Sequence, residues 1–287
     1  MVTYRLRKQL ISLQIPNATK KEIDFTDTSF FTTSPNRHLP TPAQVRALSK
    51  DIDTRPQPTP IIFENLNLIA KFGLYVTIVE ALNLWVIKKV FHDKVPVPEL
   101  FGWRVEEEGY VFIYTELIEG PTLEECWDRL TTMEKSAVSD QLSQIMETMR
   151  QLQPDPSDQF IGSINRECLL DYVFLNQLIT GPFPNIKEFN DWFTYPNHGL
   201  LPDNGDIKFT HAELERRNII VSSFTPVQIV IVNWQQAGWY PDYWEYCKAF
   251  YTFLHGKWRK NYVDKFLQPR TDVYTAFSVY CMAMGTD

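Results

Sequence analysis

The chain has 287 residues, a net charge of −7 and an apolar share of 44%, enough for one large domain or two lobes around a packed core. The acidic balance argues against nucleic acid or an anionic membrane surface as a partner, and no run of about 18 apolar residues offers a membrane span. The basic N-terminus, Met1 to Pro16, has neither an apolar core segment nor a small-residue cleavage site, so the expected compartment is the cytosol. Cys126, Cys168, Cys247 and Cys281 lack Cys-x-x-Cys spacing and read as reduced core residues.

Residues 1–58 carry prolines at 16, 35, 40, 42, 56 and 58 and read as an N-terminal arm or cap, with one helix over Ala43–Ile52. Residues 59–120 then read as a β-rich lobe. Thr59–Glu64 and Leu68–Phe72 are expected strands, the second carrying Lys71, and Val76–Phe91 is an expected helix carrying Glu80. The segments Pro98–Val105 and Tyr110–Ile118 are strand-like on either side of the acidic turn Glu106–Gly109, which predicts a hairpin. No glycine-rich loop precedes Lys71, so backbone cradling of phosphate is not expected there.

Residues 121–287 read as a mainly helical lobe. Thr122 and Glu125 form a capping-box pair, and Met133–Leu152 carries one apolar stripe at Val138, Leu142, Ile145, Met149 and Leu152. The stretch between Pro154 and Asn204 is rich in aromatics and turns, with a helix at Ile186–Phe193. Phe209–Val221 follows, a charged loop running into a β-branched strand, and then the strand Val227–Trp234. This layout presents His211, Glu213, Arg216, Arg217, Asn218 and Asn233 at one edge. Closing helices are expected over Tyr251–Leu254, Lys257–Leu267 and Asp272–Met284, with Trp258, Tyr262 and Phe266 as packing.

The spacing His211-x-Glu213-x-x-x-x-Asn218, followed by strand, turn, strand and Asn233-Trp234, resembles the catalytic and metal-binding loops of the protein-kinase-like superfamily. Within that superfamily it is most similar to the fungal branch of aminoglycoside-phosphotransferase-like proteins. Ala237–Ala249 adds to the likeness, which covers most of residues 59–267. The resemblance implies an α+β, two-lobe fold with a small antiparallel-sheet lobe and a larger helical lobe, its site in a cleft between them. It implies nucleotide contacts at Lys71, Glu80, Arg217 and Asn218, and at an interlobe hinge beginning with Glu116. Glu213 and His211 then take the catalytic positions, Asn218 and Asn233 the metal positions, with ATP and Mg²⁺ as cofactors and a small molecule, such as a fungal secondary metabolite, as substrate.

Two positions depart from the family. Glu213 stands where the family has Asp, and the extra methylene moves the carboxylate by about 1 Å, enough to cost about 10²-fold in rate. Asn233 stands where the family's Asp holds Mg²⁺, and a neutral carbonyl attracts a hard cation less than a carboxylate does. Three readings follow. One is a kinase-fold enzyme repurposed for acid/base chemistry such as isomerisation or cyclisation, the second a slow ATP-dependent phosphotransferase, and the third a pseudokinase-like binding module.

Overall fold

The computed structural model describes residues 1–34, 36–174, 177–178, 180–195, 199–252, 258 and 262–284. The chain forms two compact units, one of Met1–Gln14, Gly120–Ile229 and Gln236–Asp287, the other of Ile15–Glu119 and Val230–Gln235. The chain begins in the first unit with β1 (Val2–Leu6) and β2 (Gln9–Leu13), an antiparallel hairpin.

The second unit is built on β3 (Glu22–Asp24), α1 (Ser29–Thr32), α2 (Pro42–Leu48), β4 (Ile61–Phe63), β5 (Leu68–Gly73), α3 (Ile78–Phe91), β6 (Leu100–Val105) and β7 (Val111–Glu116). The strands form one antiparallel sheet in the order β3-β6-β7-β5-β4. Side chains alternate across a strand, so Leu68, Ala70 and Phe72 of β5 share one face. There they join Phe101, Phe112 and Tyr114 from the sheet and Phe30, Leu39 and Val45 from the preceding segment in one buried cluster. Lys71 falls on the opposite face, towards Glu80 of α3. The sheet is therefore covered on both sides, which is why its strands read as nearly continuous apolar runs.

The first 58 residues are not an arm. Residues 15–58 supply an edge strand and the apolar side chains that cover one sheet face, and Met1–Gln14 packs in the other unit. At Gly102 a Cβ would lie 2.4 Å from the Ile23 carbonyl oxygen, so β3 reaches β6 only because no side chain stands there. The helix expected over Ala43–Ile52 is shorter, since Thr41 caps it with a Gln44 capping box, Pro42 opens it and Ser49 is already extended.

After β7 the chain continues with α4 (Leu123–Cys126), α5 (Thr132–Met149), β8 (Leu152–Pro154), β9 (Gly162–Ser163), α6 (Ile186–Phe193), β10 (Ile207–Thr210), β11 (Ile219–Phe224), β12 (Val227–Ile231), β13 (Gly238–Pro241), α7 (Trp244–Thr252), α8 (Asp264–Phe266) and α9 (Thr271–Ala283), all in the first unit except Val230 and Ile231 at the end of β12. Strand orders are β2-β1-β8 and β10-β13-β9, with β11 and β12 a separate pair. The capping box predicted at Thr122 is present, and Thr131 with Glu134 makes another at the start of α5. Leu152 leaves the predicted helical stripe and pairs with Leu6 of β1, because a distant strand supplies hydrogen bonds that the helix end cannot. Cys126, Cys247 and Cys281 are buried, whereas Cys168 is exposed and is not a core residue. Trp258 is buried, stacked on Tyr262 and met edge-on by Trp127. Leu254 and Lys257, placed above in closing helices, lie outside the described residues. No helix among the described residues is long and apolar enough to cross a membrane.

Candidate functional site

The sequence-predicted residues fall into two groups, one in each unit. In the sheet unit, the Lys71 ammonium lies 2.6 Å from Glu80 Oε2 and donates to Asn233 Oδ1 at 2.9 Å. Strand alternation puts Lys71 on this face, and the first turn of α3 brings Glu80 to it. Asn233 follows β12 with φ of 63°, a left-handed conformation that asparagine tolerates better than most residues. Its neighbour Trp234 is fully buried, donating its indole N–H to the Ile231 carbonyl and accepting from Asn83 Nδ2 through its own carbonyl. Glu116 closes β7, where its backbone N–H donates to Glu99 O and that of Leu117 to Asn67 O, so both amides already have backbone acceptors.

In the helical unit, the loop after β10 carries His211, Glu213, Arg217 and Asn218. His211 is fully buried, and its Nδ1 accepts the Glu213 backbone N–H at 3.2 Å. The Asn218 amide donates to the Glu213 carbonyl oxygen at 2.8 Å. Arg217 clasps two carboxylates, giving Nη2 to Glu213 Oε1 and Nε to Glu215 Oε2, both at 2.8 Å. The loop is bent at Ala212, whose φ of 63° is costly for a residue with a Cβ. Glu245 of α7 holds that bend, its Oε2 accepting from His211 N at 2.6 Å and its Oε1 from Ala212 N at 3.2 Å.

Sequence reasoning missed Glu215, Glu245 and the buried pair Asp171–Lys248. The signals were slight: a second acid two residues after Glu213, and charges inside the aromatic run Tyr240–Phe250. Burial pushes the Glu215 carboxyl up to about 7, with Arg217 opposing. Burial likewise raises Glu245 to about 7 against its two backbone hydrogen bonds. Both groups then bind a proton more tightly in the folded chain than in the unfolded one. Their contribution to stability is complete below the ordinary glutamate value of 4.5 and is lost as pH rises through about 7. Thermal unfolding followed from about pH 5 to about pH 8 is expected to show a falling Tm. Glu215→Gln, neutral throughout, is expected to flatten that slope, and an unchanged slope would remove Glu215 as its source.

No protein-family profile matches the chain, and no curated protein matches it in sequence. Solved structures do match. The GDP and kanamycin complex of the aminoglycoside phosphotransferase APH(2")-IIIa superposes with a TM-score of 0.50 at 15% identity, covering 89% of this chain and 85% of that one. The fold is that of the aminoglycoside phosphotransferases, a protein-kinase-like fold. A structure of aminoglycoside phosphotransferase APH(4)-Ia reaches a TM-score of 0.49 at 11% identity, over 81% of this chain and 77% of that one.

This kinase-like fold brings the expectation of a divalent cation, which the residues here do not meet. The Asn233 oxygen faces an ammonium, the Asn218 amide is committed to a carbonyl, and both side chains are neutral. Among the described residues no group of three or more His, Cys, Asp or Glu side chains could hold a metal ion. A hard cation such as Mg²⁺ takes one or two carboxylates from its protein. Asn233→Asp is expected to give measurable Mg²⁺ affinity in calorimetry with nucleotide present, where the natural chain binds weakly. Equal affinity in both proteins would show that position 233 does not set it.

Proposed function

We propose that the chain is a kinase-fold enzyme acting on a small molecule by proton transfer at Glu213, in place of efficient phosphoryl transfer. One observation carries this reading: the residue at the expected metal position is neutral and turns its oxygen to Lys71. Lys71, Glu80 and Asn233 together are electrically neutral, so this cluster lacks the net negative charge that draws a divalent cation. Glu213, by contrast, is prepared for acid/base work. Its backbone is fixed at both ends by His211 and Asn218, and its carboxylate is aimed by Arg217. A carboxylate so held can take a proton from a carbon or hydroxyl of the ligand and return it to another atom, the balance required for an isomerisation or cyclisation.

A second reading, a slow ATP-dependent phosphotransferase, draws on the retained Lys71–Glu80 pair, the arrangement that positions nucleotide phosphates in kinases. A thermal-shift titration with ATP, with and without Mg²⁺, combined with a label-transfer assay from ATP, separates the two. The acid/base reading expects no Mg²⁺-dependent rise in Tm, and turnover that persists without nucleotide. Mg²⁺-dependent transfer of label to a small molecule would replace it with the second reading.

A further inference from the structure

Arg216 and Arg217 are consecutive in one short 3₁₀ turn, yet the fold treats them in opposite ways. Arg217 is half-exposed and holds two carboxylates. Arg216 is partly buried, its Nε is shut off from solvent without an acceptor, and the side chain makes no ion pair or hydrogen bond among the described residues. An arginine cannot shed its charge in a protein, and a buried donor left unsatisfied carries its full desolvation cost. Partners are not scarce, since the chain has 35 acidic against 28 basic residues. An exposed arginine would extend into water and escape the cost. Here the turn between Glu215 and Asn218 buries Nε, and no described carboxylate lies within ion-pair distance of the guanidinium.

We infer that Arg216 is an oxyanion-recognition residue: its guanidinium receives a carboxylate or phosphate group of the ligand that the Glu213 loop acts on. Paired N–H donors in a fixed plane match either group, and such charge-assisted contacts are the strong ones. Arg217 already pairs with the loop's own acids, so the ligand's anion finds in Arg216 a cation that no carboxylate among the described residues occupies. The inference rests on the reading of this loop as the reacting loop and names its substrate class, an anionic small molecule.

The test needs no turnover. Thermal-shift and calorimetric titrations with sodium pyrophosphate and with sodium benzoate, at ionic strength held constant with chloride, are run on the natural chain, Arg216→Met and Arg216→Lys. The natural chain is expected to bind at least one probe saturably. Pyrophosphate alone identifies a phosphate source such as a nucleotide, and benzoate alone a substrate carboxylate. Arg216→Met is expected to bind at least about tenfold more weakly while its ligand-free Tm equals or exceeds that of the natural chain, because the unsatisfied donor is gone. Arg216→Lys is expected to recover part of the affinity as a point charge. Failure of both probes to raise Tm beyond the chloride control would overturn the inference, as would binding by Arg216→Met as tight as the natural chain's. Unchanged turnover in a Glu213 variant would overturn the acid/base reading and leave these titrations standing, so the two failures are distinguishable.

Discussion

Glu213→Gln is expected to lower turnover of the small-molecule substrate by about 10² to 10⁴-fold, the range that general acid–base catalysis contributes, with substrate affinity and folding retained. Glutamine keeps the length of the side chain and an oxygen that can still accept from Arg217 Nη2. The backbone anchors to His211 and Asn218 do not involve the side chain and persist. Arg217 is 54% exposed, so water screens the lost charge pair and the stability cost stays small. Only the titrating proton disappears. Glu213→Asp separates the two functional readings: shortening the side chain withdraws the carboxylate by about 1 Å, which an acid/base reaction built on the longer reach loses. Phosphoryl transfer would instead gain, most of all together with Asn233→Asp. The check is steady-state kinetics of each variant with and without ATP, and undiminished turnover in Glu213→Gln would move the proton to another group.

Local physics made part of this architecture legible. Lys71 and Glu80 could be placed from alternation in a strand and periodicity in a helix, and the structure joins them at 2.6 Å. Thr122 and Glu125 announced a helix start because a capping box is complete within four residues. What stayed hidden depends on partners far along the chain. Nothing in Val2–Leu6 signals that it pairs with Leu152–Pro154, and without that pairing Leu152 continues the stripe of α5. Lys248 and Asp171 are separated by 76 intervening residues and lie among aromatics, so periodicity reads them as helix surface and turn. Glu215 differs from any solvated loop acid only by burial, and burial is decided by tertiary packing that the motif does not contain.

Lys248→Met is expected to destabilise the helical unit by about 3–5 kcal/mol, the usual result of stripping one partner from a buried ion pair. Both side chains are wholly inaccessible to solvent. Asp171 accepts from Lys248 Nζ, from the Trp244 indole at 2.9 Å and from the Val173 N–H at 3.0 Å. Removing the ammonium leaves an uncompensated carboxylate that the two neutral donors cannot balance. It also removes the cation centred 3.5 Å from the Tyr172 ring. Adding Asp171→Asn deletes the charge and keeps an acceptor for the indole, so the double variant is expected to regain most of the loss, and a double-mutant cycle in urea reads the coupling directly. The effect reaches the candidate site through α7: Lys248 lies three residues after Glu245 on neighbouring positions of that helix, and Glu245 holds the N–H groups that set the bend before Glu213. Amide hydrogen exchange at His211 and Ala212 is therefore expected to rise in Lys248→Met and fall back in the double variant. An unfolding midpoint for Lys248→Met equal to that of the natural chain would show that the pair does not anchor α7.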